Sequence, residues 1–315
     1  MTITELAKKV KSLKSALIFC HIRPDGDTLS CAFALKKILA KLDIKSEVVC
    51  GDNVPDKYAE CGYFGTTYKE PPSGKFDCCI AVDCATPDLM GYPYDYFAKS
   101  YDNICIDHHY TNARYADNLY LNCVAACSMN IYYLAKELGV EIDKDLANTL
   151  LIGILTDTGS FAHTNTDAEC LSVATELTRL GGELPILNRR IFCSKTKNEI
   201  NFQTEIVSKM KFFHDDRLAI MVITRDVMKK YGVDRSATEA FIDLPLSIKS
   251  VEAVVSILES DDKRYKLSFR SKNINVAEIA RSYGGGGHPQ ASGAMLSGYL
   301  EDVIDKLVFT IGNYL

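Results

Sequence analysis

Short apolar runs alternate with helical patterns through the first half of the chain. Ala16-Leu17-Ile18-Phe19-Cys20 reads as a strand. A helix is expected from about Thr28 to Leu42, where Leu29, Ala32, Phe33, Leu35, Ile38 and Leu39 recur at helical spacing. Further strands are expected at Glu47 to Cys50, Phe76 to Val82 and Asn103 to Ile106. Ala125 to Leu138 and Leu146 to Leu155 read as buried helices. Near-continuous apolar strands that alternate with helices predict an α/β domain whose parallel sheet is covered on both faces.

The pattern breaks from Thr178 to Leu187, with Gly181, Gly182 and Pro185. Phe192 to Glu205 is polar with helical character. The expected organisation is therefore a first domain over 1–190, a linker over 191–205 and a smaller mixed α/β domain over 206–315. Strands in the latter are expected at Leu218 to Ile223, Val251 to Leu258 and Tyr265 to Arg270. Helices are expected from Ala277 to Tyr283, ending at Gly284, and from Leu300 to Tyr314.

The polar residues that interrupt these patterns fall at strand ends. His21, Asp25 and Asp27 follow the first strand, Asp83 ends the third, and Asp107-His108-His109 ends the fourth. Ligands of open α/β sheets bind outside the carboxyl ends of the strands, so these groups should meet on one rim. Asp157 ends an apolar helix, where the helix dipole disfavours a carboxylate and a cation would relieve the conflict. Three of the chain's six histidines lie in these stretches. Mixed imidazole and carboxylate donors suit Mn²⁺, Fe²⁺, Zn²⁺ or Mg²⁺. Taken singly, Asp27 and Asp83 also read as caps of the segments that follow them. Gly284-Gly285-Gly286-Gly287-His288 offers backbone N–H groups to an anion or, more plainly, a helix end and a turn. Arg270 has the planar fork that suits phosphate.

Composition narrows the class. The chain has 315 residues, 47% apolar and 24% charged, with a net charge of -5. That charge argues against a protein that grips long duplex nucleic acid by its phosphates, and favours a small anion or a short oligonucleotide. No apolar run is long enough for a membrane span. Met1 to Lys14 reads as an amphipathic helix without the apolar centre of a signal peptide. The twelve cysteines contain no CxxC pair and all lie at or before Cys193. They read as reduced thiols of a cytoplasmic protein.

These motifs, in this order, resemble the DHH family of phosphoesterases with the DHH-associated C-terminal domain of the glycine-rich type. The residues that carry the resemblance are His21/Asp25/Asp27, Asp83, Asp107-His108-His109, Asp157 to Phe161, Ser268 to Ser271 and Gly284 to Gly293. The chain resembles the stand-alone nano-RNases that also dephosphorylate 3′-phosphoadenosine 5′-phosphate (pAp). One departure is Thr28-Leu29-Ser30-Cys31 after Asp27, where the family commonly has x-x-Gly-Ser; it bears on helix packing more than on ligands.

The resemblance implies a Rossmann-like first domain and an active site in the cleft between the domains. It implies two Mn²⁺ ions, for which Mg²⁺, Fe²⁺ or Co²⁺ are substitutes. His21, Asp25 and Asp83 would hold one ion. Asp27, Asp83, His108 and Asp157 would hold the other, with Asp83 bridging and Asp107 orienting His108. His109 would meet the scissile phosphate or protonate the leaving oxygen. Arg270, Ser271, Gly285, Gly286, Gly287 and His288 would hold the rest of the substrate. The expected activity is hydrolysis of short RNA oligonucleotides to 5′-monophosphates and removal of the 3′-phosphate of pAp. The alternatives are a phosphodiesterase for cyclic dinucleotides or their linear forms, pApA and pGpG, and a nucleotide sensor without turnover. A homodimer is a further expectation from the family.

Overall fold

The computed structural model describes residues 1–239 and 241–315. They form two compact units, Met1–Ser194 and Lys195–Leu315. In the first unit the chain runs α1 (Ile3–Lys11), β1 (Ser15–Phe19), α2 (Gly26–Lys41), β2 (Lys45–Val49), α3 (Asp56–Ala59) and β3 (Cys78–Val82). A 3₁₀ turn (Pro87–Met90), α4 (Tyr94–Ala98), β4 (Asn103–Asp107) and β5 (Asn118–Leu121) follow. The unit closes with α5 (Cys127–Leu138), α6 (Lys144–Asp157), α7 (Ala168–Arg179) and α8 (Leu184–Phe192).

The five strands are all parallel, in the order β2-β1-β3-β4-β5. The chain moves outward from β1 to β2, then returns to the other side of β1 with β3. The switch point therefore lies between β1 and β3, where such sheets bind ligands. Alternation along β1 serves two cores. Ala16 and Ile18 pack into the larger one with residues of α2, α5 and α6. Leu17 and Phe19 face the smaller one, with Met90 and Phe97. Burial of each large side chain contributes about 1.5–3 kcal/mol.

Helix starts follow local capping. Thr2 and Glu5 form a reciprocal capping box on α1. Asp25 caps α2 by accepting from the Asp27 and Thr28 N–H groups, both at 3.0 Å. The helix thus begins at Gly26, ahead of the Thr28 start read from the apolar spacing. Strand β5 escaped the sequence pattern because Asn118-Leu119-Tyr120-Leu121 is short and only Tyr120 is buried.

The second unit opens with α9 (Lys197–Ser208), in the range read as a linker, followed by β6 (Lys211–Phe213) and β7 (Leu218–Ile223). Then come α10 (Arg225–Tyr231), α11 (Ser236–Glu239), β8 (Ala253–Asp261), β9 (Arg264–Ser271) and α12 (Val276–Ser282). Strands β10 (Gly286–His288) and β11 (Ala291–Ser297) and helix α13 (Leu300–Gly312) complete it. The sheet order is β10-β11-β9-β8-β7-β6, mixed because β7 and β8 run parallel. Helices α12 and α13 pack on one face, with Phe269 and Leu267 of β9. Phe202 of α9 lies in the core on the other face.

All twelve cysteines are free; Cys123 and Cys193 are exposed and the rest are buried. Among the described residues no helix is long and apolar enough to cross a membrane.

Candidate metal centre

The turn after β1 brings His21 and Asp25 to the mouth of the sheet, and the first turn of α2 adds Asp27. Asp83 comes from the end of β3, His108 and His109 from the end of β4, and Asp157 from the last turn of α6. These residues meet on the rim that the sequence indicated. The His21, Asp25 and Asp83 donor atoms lie within 4.8 Å of one another, and so do those of Asp27, His108 and Asp157.

Asp83 joins the two groups. Its Oδ2 lies 3.8 Å from His21 Nε2, and its Oδ1 lies 3.4 Å from His108 Nε2. His21 Nε2 is 3.5 Å from Asp25, and His108 Nε2 is 3.4 Å from Asp157. Such separations exceed a normal N–H···O bond. They suit pairs of donors that face a common cation at about 2 Å each. The Asp83 Oδ1 atom is buried and has no hydrogen-bond partner among the described residues. A buried carboxylate oxygen left in that state asks for a cation. The residues present therefore fit a divalent metal centre.

Both imidazoles are set for this role. Nδ1 of His21 donates to the Ile22 carbonyl at 2.9 Å, and Nδ1 of His108 donates to the Val124 carbonyl at 2.9 Å. A carbonyl only accepts, so Nδ1 carries the proton and Nε2 turns to the acids.

Asp27 is fully buried on the N-terminus of α5. Its Oδ2 accepts from the Cys127 N–H at 2.5 Å, and its Oδ1 from the Ser128 N–H at 3.0 Å. Gly153 of α6 makes room for it: a Cβ there would fall 2.4 Å from Asp27 Oδ1. None of these supports is visible in a linear pattern.

Asp107 takes a different part from the one the family resemblance implied. Its Oδ1 accepts from His109 Nδ1 and from the His108 backbone N–H, both at 2.8 Å. Its Oδ2 accepts from Asn112 at 2.6 Å. It therefore holds the His109 ring, while the Val124 carbonyl orients His108. His108 Nδ1 lies on the Val124 carbonyl, ahead of α5, and His109 Nδ1 lies on the carboxylate. Asn112 was not singled out from the sequence; a buried carboxamide five residues after Asp107 is its only linear signal.

Electrostatics shows the crowding of charge. Burial pushes the Asp83 carboxyl up, against the pull of His108. Burial, Asp83 and Asp25 together push Asp27 up to about 7. Burial and the repulsion of Asp27 and Asp83 push Asp157 well above the usual range. Burial opposes charge on the histidines, but the carboxylates around them prevail. His21 is raised to about 9 by Asp25 and Asp83, and His108 to about 11, chiefly by Asp83. Asp25, whose side chain is half exposed, and buried Asp107 are held low against desolvation, by His21 and by His109 respectively. Without an ion, the centre gathers protons to balance its acids.

The second unit places the remaining expected residues differently. Arg270 on β9 donates from Nη1 to the Phe269 carbonyl at 3.0 Å and pairs through Nε with Asp243 at 3.3 Å. Ser271 is buried, and its hydroxyl donates to the Ile274 carbonyl at 2.5 Å, so it ties a loop. The glycine run is not a loose turn: Gly286 to His288 pairs with Ala291 to Gly293 as an antiparallel edge. Gly285 is demanded by that packing, since a Cβ would lie 2.1 Å from the Gly293 carbonyl oxygen. Gly286 is exposed and a Cβ there would meet nothing within 4 Å. His288 is exposed.

A model of the DHH family, N-terminal domain, matches residues 15–154, and one of the DHHA1 domain matches residues 215–315. The chain is 30% identical over 307 residues to the bifunctional oligoribonuclease and PAP phosphatase NrnA of Thermus thermophilus, which covers 93% of this chain and 88% of that protein. It is 25% identical over 316 residues to the NrnA of Bacillus subtilis, over 97% of this chain and 96% of that protein. Its fold is similar to that of an exopolyphosphatase-related protein from Bacteroides fragilis, with a TM-score of 0.87 at 22% identity over 99% of this chain and 96% of that one.

Proposed function

The chain belongs to the DHH family, and on that premise we propose that it is a two-metal phosphoesterase of short nucleotides. It hydrolyses short oligoribonucleotides to nucleoside 5′-monophosphates and removes the 3′-phosphate of pAp. The observation that carries this reading is the split of Asp83, with one oxygen toward His21 and the other toward His108. His21, Asp25 and Asp83 would hold one ion; Asp27, Asp83, His108 and Asp157 would hold the other. Mn²⁺ is the proposed metal, since the donors mix imidazole and carboxylate. Two such ions, when bound, supply charge to a phosphoryl group and acidify the attacking water.

The chain's own residues do the rest. His109 keeps Nδ1 on Asp107, which leaves Nε2 to meet the scissile phosphate or to protonate the leaving oxygen. Asp107 fixes that ring, and Asn112 fixes Asp107. In the second unit, the backbone at Gly286 and Gly287, His288 and the free edge of the Arg270 guanidinium recognise the remaining phosphate or base. Gly286 supports this: the hairpin itself does not require a glycine there. Ser271 stands behind them as a loop tie. The reading carries with it the expectation of a cytoplasmic location.

The test is a Mn²⁺ assay of the full chain on pAp, di- to pentaribonucleotides, linear pApA and pGpG, and cyclic di-AMP. The highest kcat/KM is expected for pAp and the shortest oligoribonucleotides. A clear preference for cyclic di-AMP would replace this reading with the cyclic-dinucleotide alternative. Tight binding without turnover at full metal loading would make the chain a sensor.

A further inference from the structure

Arg23 lies in the turn between His21 and Asp25 and has no part in the metal site. Its φ is 53°, in the left-handed region. A bulky side chain rarely adopts that conformation. The next residue is Pro24, which pushes its predecessor toward extended backbone. The strain is thus twofold.

Such a conformation persists only where the surroundings over-determine it. Here the Ile22 N–H donates to the Leu89 carbonyl at 2.6 Å, and the Arg23 N–H donates to Asp52 Oδ2 at 2.7 Å. The Ile22 side chain sits in a slot between two glycines. A Cβ on Gly51 would come 3.2 Å from Ile22 Cγ2, and one on Gly91 would come 2.7 Å from it. Glycine, asparagine or aspartate would occupy position 23 at lower cost. The backbone therefore does not explain an arginine.

Nor does a protein partner. Arg23 is exposed, and among the described residues its guanidinium has no ion pair or hydrogen bond. Asp52, beyond β2, engages its backbone instead. An unpaired fork of five N–H donors thus stands two residues from His21 and two from Asp25, both proposed to hold metal. We propose that Arg23 is a substrate contact, binding phosphate oxygens of the nucleotide bidentately. This rests on the phosphoesterase reading and deepens it. It gives the first unit its own grip on the substrate, separate from the glycine-rich hairpin.

The experiment compares the full-length Mn²⁺-loaded protein with Arg23→Ala, Arg23→Lys and Arg23→Gly. It measures kcat and KM for pAp, calorimetric binding of inorganic phosphate, and the thermal midpoint. Loss of a uniform binding contact raises KM and leaves kcat alone. The alanine and glycine variants should raise KM by about tenfold or more, with kcat within about threefold. Phosphate affinity should fall in parallel, and lysine should restore part of both. Arg23→Gly should also raise the thermal midpoint, because it relieves the strain. A purely structural arginine would give no such combination of higher stability and weaker binding. Wild-type KM and phosphate affinity in both the alanine and glycine variants would overturn the proposal. A wild-type protein that leaves pAp intact would sink the phosphoesterase reading instead, and the phosphate calorimetry would still decide Arg23.

Discussion

The acid centre of the first unit and the glycine-rich hairpin of the second are built on opposite plans. In the centre, nearly every polar atom is already engaged. Asp107 takes three donors, Asp25 and Asp27 take two backbone N–H groups each, and the His21 and His108 imidazoles are tied through Nδ1. Among the described residues, Asp83 Oδ1 is buried there without a partner. In the hairpin, Gly286 and His288 are exposed and the Arg270 guanidinium is partly engaged. On the proposed function, the difference is that between preorganised chemistry and adaptable recognition. A catalytic constellation must be rigid before the substrate arrives, whereas an edge of exposed backbone can wait for its ligand.

The sharpest way to break this comparison is Asp83→Ala. With the shared carboxylate gone, at least one ion should be lost from the loaded protein. The rate should fall by more than the 10–100-fold typical of outer-shell support, and metal stoichiometry by atomic spectroscopy alongside kcat on pAp decides it. Retention of both ions would show that the two groups do not share Asp83.

A smaller but still large effect is expected from pH. In the metal-free protein, protons sit on His21, raised to about 9, and His108, raised to about 11, with Asp27 near 7. An ion must displace protons from these groups, so its affinity should rise with pH between 6 and 9. The slope is up to about tenfold per pH unit for each proton released. Mn²⁺ calorimetry in two buffers of different ionisation enthalpy would count those protons; an affinity flat in pH would mean that the ion binds elsewhere.

The smallest effect separates two neighbouring glycines. Gly286→Ala should leave thermal stability unchanged, because its Cβ enters open space, and should raise KM a few-fold if substrate approaches there. Gly285→Ala should cost about 1–3 kcal/mol of stability, because its Cβ collides with the Gly293 carbonyl. Thermal melts and KM measured on both variants check the pair. Equal KM in Gly286→Ala and wild type would remove the hairpin backbone from recognition.

The legibility of these regions in the sequence differs for the same reasons. Strands β1, β3 and β4 are apolar runs that end on an ionisable residue, so both the sheet and its polar rim could be read from period and position. The supports of the rim could not. The Cys127 and Ser128 N–H groups and Gly153 matter only because α5 and α6 fold against α2, and no local pattern encodes that contact; Asn112 acts instead through the turn after β4, where it meets Asp107. The hairpin was illegible for another reason. Glycines present no side chains for a period-two pattern, so β10 exists through its pairing with β11 alone. Ser271, a substrate contact by the resemblance alone, is turned to the buried face by alternation along β9.

The placement of the thiols has a practical corollary. All twelve cysteines lie within the first unit, ten of them out of reach of solvent. A brief pulse of alkylating reagent on the native protein should therefore mark two sites, Cys123 and Cys193. Any further label read by mass spectrometry reports opening of the first unit, while unfolding of the second leaves no mark. The chain thus carries a clock for one of its halves, with no probe added, and metal that stabilises the acid centre should slow it.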